Sequence, residues 1–146
     1  MAAKTTVVEL TGLKEFIRTF NIQTSQLMPA VGSAIYNEAV VIANEADMLV
    51  PYDIGTLAKS QIVHAPAIQG ARVYVDITYG GPARQYAEVQ HENEDFSHPS
   101  MASGLPPNGR QAKYLSEPLD DAVKEDRLST QLSMRIQSIL LNQMGK

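Results

Sequence analysis

Between Met28 and Leu49 apolar residues return every three or four positions until Pro51 ends the rhythm, and no other feature restricts the fold of this chain as much. Met28, Val31, Ile35, Ala39, Ile42, Ala46 and Leu49 share one face, with Asn37, Glu38, Asn44 and Glu45 off it, so the spacing predicts a long amphipathic helix. Asn21 to Ser25 reads as a break before it, and Pro29 is tolerated if it falls in the first turn. At the other end Pro51 lacks the next amide hydrogen and disfavours helix in the residue before it. Asp53 can bond its own backbone two residues on, and Gly55 admits a positive φ. The run Val50-Pro51-Tyr52-Asp53-Ile54-Gly55-Thr56-Leu57 is therefore predicted to be a tight joint between helix and sheet, with Pro51, Asp53, Gly55 and Thr56 as its structural residues.

Past the joint the period changes to two. Val73, Val75, Ile77 and Tyr79 alternate with Arg72, Tyr74, Asp76 and Thr78, which predicts a strand buried on one side over Ala71 to Tyr79. A partner strand is expected from Leu57 to Ala67, with Gln69-Gly70 making the hairpin. Gly80-Gly81-Pro82 closes the sheet, and Tyr86 to His91 is a short element whose type the pattern leaves open. Residues 93–112 carry Pro99, Pro106 and Pro107 among glycines and serines, without periodicity, and read as a long loop.

Helix returns at Ser116, with Pro118 in its first turn and Asp120 and Asp121 near the positive end of the dipole. Leu128, Leu132, Ile136 and Ile139 form a second stripe after a bend near Lys124 to Arg127, giving a C-terminal helical segment over 116–143. Near the start, Thr5 to Leu10 suits a strand, and Leu13, Phe16, Ile17 and Phe20 share a helical face. The sum is an α+β fold in a single domain, 1–146: a long N-terminal helix packed on a small antiparallel sheet, with a C-terminal helix.

Composition narrows the chemistry. The absence of cysteine excludes disulfides, thiolate-held metals and thiol nucleophiles. Twelve basic against 16 acidic residues, net −4 and evenly spread, give no basic patch, so no sequence-specific nucleic-acid binding is expected. No stretch approaches the roughly 20 apolar residues of a membrane span, which predicts no membrane partner.

Asp53-Ile54-Gly55-Thr56 invites comparison with the Asp-Thr-Gly loop of aspartic peptidases, whose chemistry needs two carboxylates sharing a proton. One copy is present, so a homodimeric aspartic-peptidase-like hydrolase using Asp53 is the alternative reading; Ile54 stands where that pattern has a bracing hydroxyl. His91-Glu92 resembles the opening of a zinc-peptidase helix, but Asp95 occupies the second histidine's position, His98 is seven residues from His91 across a loop-prone stretch, and His64 lies on a predicted strand. Ser97 and His98 suggest no triad. No phosphate loop, dinucleotide fingerprint or nucleophile elbow occurs, so neither cofactor nor metal is expected.

Taken in order, Val50 to Leu57, Ile77-Thr78-Tyr79-Gly80, Tyr86-Ala87-Glu88-Val89-Gln90-His91-Glu92, His98-Pro99 and Gly109-Arg110-Gln111-Ala112-Lys113-Tyr114-Leu115-Ser116-Glu117-Pro118-Leu119 resemble a family of tailed-bacteriophage proteins. These are the small virion proteins called minor capsid, neck or tail-completion proteins, and the resemblance covers roughly residues 27 to 140 in layout. It implies a non-enzymatic structural role in a ring at the head-tail connector, assembled in the host cytoplasm and located in the virion. Its partners would be further copies of itself and other neck, adaptor or tail-terminator proteins. Heterologous contacts that close a ring need complementary, non-identical patches. The 93–112 loop and the C-terminal helix are expected to supply them, with His91, Glu92, His98, Arg110, Lys113 and Tyr114 as candidate subunit contacts.

Overall fold

The computed structural model describes residues 18, 24–51, 55–70, 72–94 and 112–145. Helix α1 (Thr24–Leu49) is followed by a single helical turn α2 (Thr56–Lys59) and four short strands, β1 (Ile62–Val63), β2 (Ala67–Gln69), β3 (Arg72–Tyr74) and β4 (Ile77–Thr78). A 3-10 turn at Gly81–Ala83 leads into α3 (Arg84–Glu92), and α4 (Ser116–Lys124) and α5 (Arg127–Met144) complete the described fold. It is the expected α+β arrangement of a long helix, antiparallel strands and a C-terminal helix.

The 26 residues of α1 extend about 39 Å at 1.5 Å per residue. Its predicted stripe is buried from Met28 to Ala46, joined by Leu27, Ala34 and Ala43, while Leu49 is half-buried. The helix starts earlier than the break at Asn21 to Ser25 implied, so Pro29 lies in the second turn and not the first. Val50 donates the last helical hydrogen bond, to the Ala46 carbonyl at 2.8 Å, and Pro51 then stops the ladder as expected.

The buried face serves two clusters. Leu27, Met28, Val31, Ala34 and Ile35 pack with Val73 and Leu132, flanked by Leu128, Ile136 and Ile139 of α5. Ile42, Ala46 and Val50 pack with Leu57, Tyr79, Ala83, Ala87, Tyr114, Leu115 and Ala122. Each large aliphatic side chain so buried contributes about 1.5–3 kcal/mol relative to exposure, so this one face organises the whole described fold. Gly32 lets the sheet approach α1: a Cβ there would stand 3.1 Å from the Pro66 Cβ.

The strand expected from Leu57 to Ala67 is largely replaced. Leu57 belongs to α2 and is buried, because Gly55 at φ +80° turns the chain straight into a helical turn that inserts Leu57 into the core. The Ser60 hydroxyl closes that turn by donating to the Leu57 carbonyl at 2.6 Å. The Ala71 to Tyr79 strand is present in two pieces. Ile62 and Val63 oppose Thr78 and Ile77, whereas Ala67, Ile68 and Gln69 oppose Tyr74, Val73 and Arg72. Three residues (64–66) thus face two (75–76), a bulge that includes Pro66, which has no N–H to give a ladder. The extra residue lies on the first strand, so Val73 and Tyr79 stay on the inner face. Gly70, at φ +60°, makes the predicted hairpin.

The open element at Tyr86 to His91 is helical. The bend predicted near Lys124 to Arg127 is real: Asp126 takes a left-handed φ of 54°, separating α4 from α5. Strand 5–10, the helix expected over 12–20 apart from Arg18, and most of the 93–112 loop lie outside the described residues.

Candidate functional site

The joint after α1 keeps its architectural meaning. Pro51 and Gly55 are buried, Thr56 opens α2, and the Lys59 amide bonds to the Gly55 carbonyl at 2.9 Å. It joins helix to helix before the sheet begins, not helix directly to strand. Asp53 lies outside the described residues, as do His98 and Arg110.

Four of the six candidate contact residues meet where α3 ends and the chain re-enters α4. The Lys113 amide donates to the His91 carbonyl at 2.7 Å, and the Lys113 ammonium pairs with a Glu92 carboxylate oxygen. Lys113 holds φ 56°, so the turn before α4 is tight. The His91 and Tyr114 rings meet edge to face at 4.9 Å, and the Tyr114 hydroxyl donates to the Ala87 carbonyl at 2.9 Å. His91 is 6% and Tyr114 2% exposed. As candidate subunit contacts these two are corrected: their rings fill the subunit's own core, and Tyr114 also stacks edge-on to Tyr79. Glu92 and Lys113 stay accessible.

Around His91 the geometry has the form of a proton relay. Its Nδ1 lies 2.9 Å from a Glu92 oxygen and its Nε2 3.2 Å from the Ser116 hydroxyl. With the proton on Nδ1 directed at the carboxylate, Nε2 accepts from Ser116. Chemically this is a serine, a base and an orienting acid, the order used in acyl transfer. The imidazole packs against Tyr114, and Glu92 is also engaged by Lys113, so these contacts tie α3 to the start of α4. Ser116 was missed by sequence reasoning, because 25 residues separate it from His91 and no local motif marks it.

A second polar group sits between the two apolar clusters. Glu38 was expected off the apolar face, but its side chain is only 7% exposed. Its spacing from Ile35 and Ile42, three and four residues, was the available signal. Arg127, the first residue of α5, meets it with Nε 2.9 Å from a Glu38 oxygen. Both atoms are buried without a completed hydrogen bond, so they attract as charges but are poorly aligned. The rest of the guanidinium forks onto Glu45 at 2.7 and 2.9 Å, and Glu125 stands 3.8 Å away. The Glu45 hydrogen bonds outweigh burial and keep Arg127 firmly protonated, with the Glu38, Glu45 and Glu125 charges adding to them. Burial likewise pushes the Tyr79 phenol above its ordinary range, opposed by the hydrogen bond from Gln61 and reinforced by the Asp47 charge.

Beside Glu38 a cavity of about 70 Å³ opens where α1, the strands and α4 meet. Elsewhere the surface carries apolar side chains that the described fold leaves uncovered. Val41 and Met48 on α1 are 42% and 71% exposed, and Met134 and Leu141 on α5 are 53% and 61% exposed. Each pair is spaced seven residues apart and so shares a helix face. Ile62 and Ile68 on the strands are about half exposed.

Comparison with family models, curated proteins and solved structures finds no match to this chain. Among the described residues no group of three His, Asp or Glu is placed to hold a metal, and no helix is long and apolar enough to cross a membrane.

Proposed function

We propose that this chain is a structural subunit of a tailed-bacteriophage head-tail connector, closing into a neck ring through contacts between copies. The observation that carries the reading is the state of its strands. They form two two-stranded ribbons with no third strand among the described residues, and a ribbon of that size is marginal by itself. From Ser60 to Gly70 there is no Asp, Glu, Lys or Arg, although charge is the usual guard on an exposed edge. This edge carries no charge and is guarded only by its short strands and the bulge at Pro66, and with Ile62 and Ile68 exposed it suits a neighbouring subunit.

The apolar pairs on α1 and α5 give further, non-identical patches of the kind a heterologous ring contact requires. The hydrolase alternative rests on Asp53, and nothing among the described residues adds to it. Mass photometry of the purified chain, together with protein mass spectrometry of purified virions, tests the proposal. A ring-sized assembly, disrupted by Ile62→Lys and Ile68→Lys, is the expected result. A strictly monomeric chain at every concentration that is also absent from virions overturns it.

A further inference from the structure

We propose that α5 is an exchangeable arm: by straightening at Asp126 it leaves its own α1 and packs on α1 of a second copy of this chain. The inference stands on the hinge and on the division of the core, and not on the neck reading or the strand edge.

The hinge works against its local sequence. From Leu119 to Met144 the chain has neither glycine nor proline, so no residue there requires a break in the helix. Asp126 nevertheless holds φ 54° and ψ 32°, a left-handed conformation that costs any L-residue free energy. Its amide reaches back only three residues, to the Val123 carbonyl at 3.1 Å. Asp126 is also the N-cap of α5, but its side chain makes no capping hydrogen bond, so the amides of Arg127, Leu128 and Ser129 have no partner within α5. A continuous helix over 116–144 would give those three amides the carbonyls of Val123, Lys124 and Glu125 and return Asp126 to an ordinary φ. Short hinges under strain favour exchange of an element between copies.

What imposes the bend is packing, and a second copy satisfies that packing as well as the first. Among the described residues α4 supplies Ala122 and Leu119 to the cluster around Ile42, Ala46 and Val50, to which α5 adds nothing. The cluster around Leu27, Val31 and Ile35 takes Leu132, Leu128, Ile136 and Ile139 from α5 and nothing from α4. The arm can therefore leave without opening the first cluster. On a straight helix the apolar stripe rotates by roughly 120° between Ala122 and Leu128, at about 100° per residue. One side then faces the chain's own α1 through Leu119 and Ala122, and another presents Leu128 and Leu132 to a neighbour's α1. Arg127 travels with the arm, so its fork onto Glu45 at 2.7 and 2.9 Å and its pairing with Glu38 re-form between chains, while its 3.4 Å contact with the Pro118 carbonyl is lost. Closed and exchanged forms share most of their side-chain contacts, which leaves the hinge and the protein concentration to decide between them.

The test uses Arg127→Lys, which sets an amine against Glu45 and Glu38 that a carbodiimide joins as an amide. Equal amounts of ordinary and isotope-labelled full-length chain are unfolded together in urea, refolded at high concentration, cross-linked and separated into monomer and oligomer. In the oligomer, mass spectrometry should find the position-127 links joining ordinary to labelled peptides as often as like to like, and in the monomer never. The Glu92–Lys113 link lies within one subunit and should stay unmixed in both fractions. The hinge gives a second measurement by mass photometry. Glycine accepts a left-handed φ freely and alanine prefers helix, so the association constant of Asp126→Ala should exceed that of Asp126→Gly by about tenfold or more. Unmixed position-127 links in the oligomer, or no oligomer at any concentration, overturn the inference. A mixed Glu92–Lys113 link overturns α5 as the exchanged unit. Equal association of the two hinge variants also overturns exchange, and it leaves the strand-edge contact standing if Ile62→Lys still disrupts assembly.

Discussion

Replacing Arg127 by methionine isolates the interaction at the junction of the two apolar clusters. Methionine keeps much of the aliphatic stem but leaves Glu38 as a buried charge with no counter-charge. Removing one partner of a buried ion pair costs about 3–5 kcal/mol. The Arg127 side chain is 23% exposed, so the lower end applies, about 3 kcal/mol. Glu45 is 40% exposed and can return to water, so losing its fork adds only about 0.5–1 kcal/mol. The expected loss is about 4 kcal/mol in urea denaturation followed by circular dichroism at neutral pH. That corresponds to a fall in Tm of about 10 °C for a chain of this length. The double variant Glu38→Leu/Arg127→Met exchanges the pair for carbon and should come back within about 1 kcal/mol of the parent. A single variant that costs less than about 1 kcal/mol, or a double variant as unstable as the single one, refutes the assignment of Glu38 as a charge dependent on Arg127.

Tyr79 gives an alkaline signature. Its phenol ionises higher in the fold than in the unfolded chain, where the value is about 10, so the folded state retains the proton longer and stability falls as pH rises above about 10. Tyr79→Phe should lower stability at neutral pH by about 1 kcal/mol through loss of the hydrogen bond from Gln61, and flatten the alkaline branch of the stability-pH curve; an unaltered alkaline slope contradicts the assignment. Gly32→Leu should cost about 1–3 kcal/mol by forcing Pro66 and the strands away from α1, whereas Gly32→Ala should stay within about 1 kcal/mol because helix propensity offsets the close contact. Thermal unfolding of both separates close approach from mere helix propensity. Tyr114→Phe should cost about 1 kcal/mol by removing the hydrogen bond to Ala87, with no change in assembly, since the ring is internal. A specific loss of ring formation would return Tyr114 to the subunit contacts.

The elements legible in the sequence were those whose signal is local and periodic. The α1 stripe, the stop at Pro51, the hairpin at Gly70 and the bend before Arg127 follow from spacing, from proline's missing donor and from backbone freedom at single positions. Where two local signals competed, packing decided. Leu57 carries no helical period, yet the core draws it into a helical turn, and the bulge at 64–66 arises because Pro66 cannot supply a ladder hydrogen bond between two stretches that can.

For the candidate site the sequence determined less. It supplied the order of motifs behind the neck resemblance, and it put forward His91, Glu92, Lys113 and Tyr114, with His98 and Arg110, as candidate contacts without joining them. Only the tertiary structure joined the first four and separated them by depth, sending His91 and Tyr114 inward and leaving Glu92 and Lys113 accessible. Glu38 and Arg127 lie 89 positions apart, Ser116 and His91 25 apart, and no local rule joins such residues. A side chain's own chemistry fixes what it can do, but the company it keeps depends on which faces the fold brings together, and charge, burial and cavity exist only after that has happened.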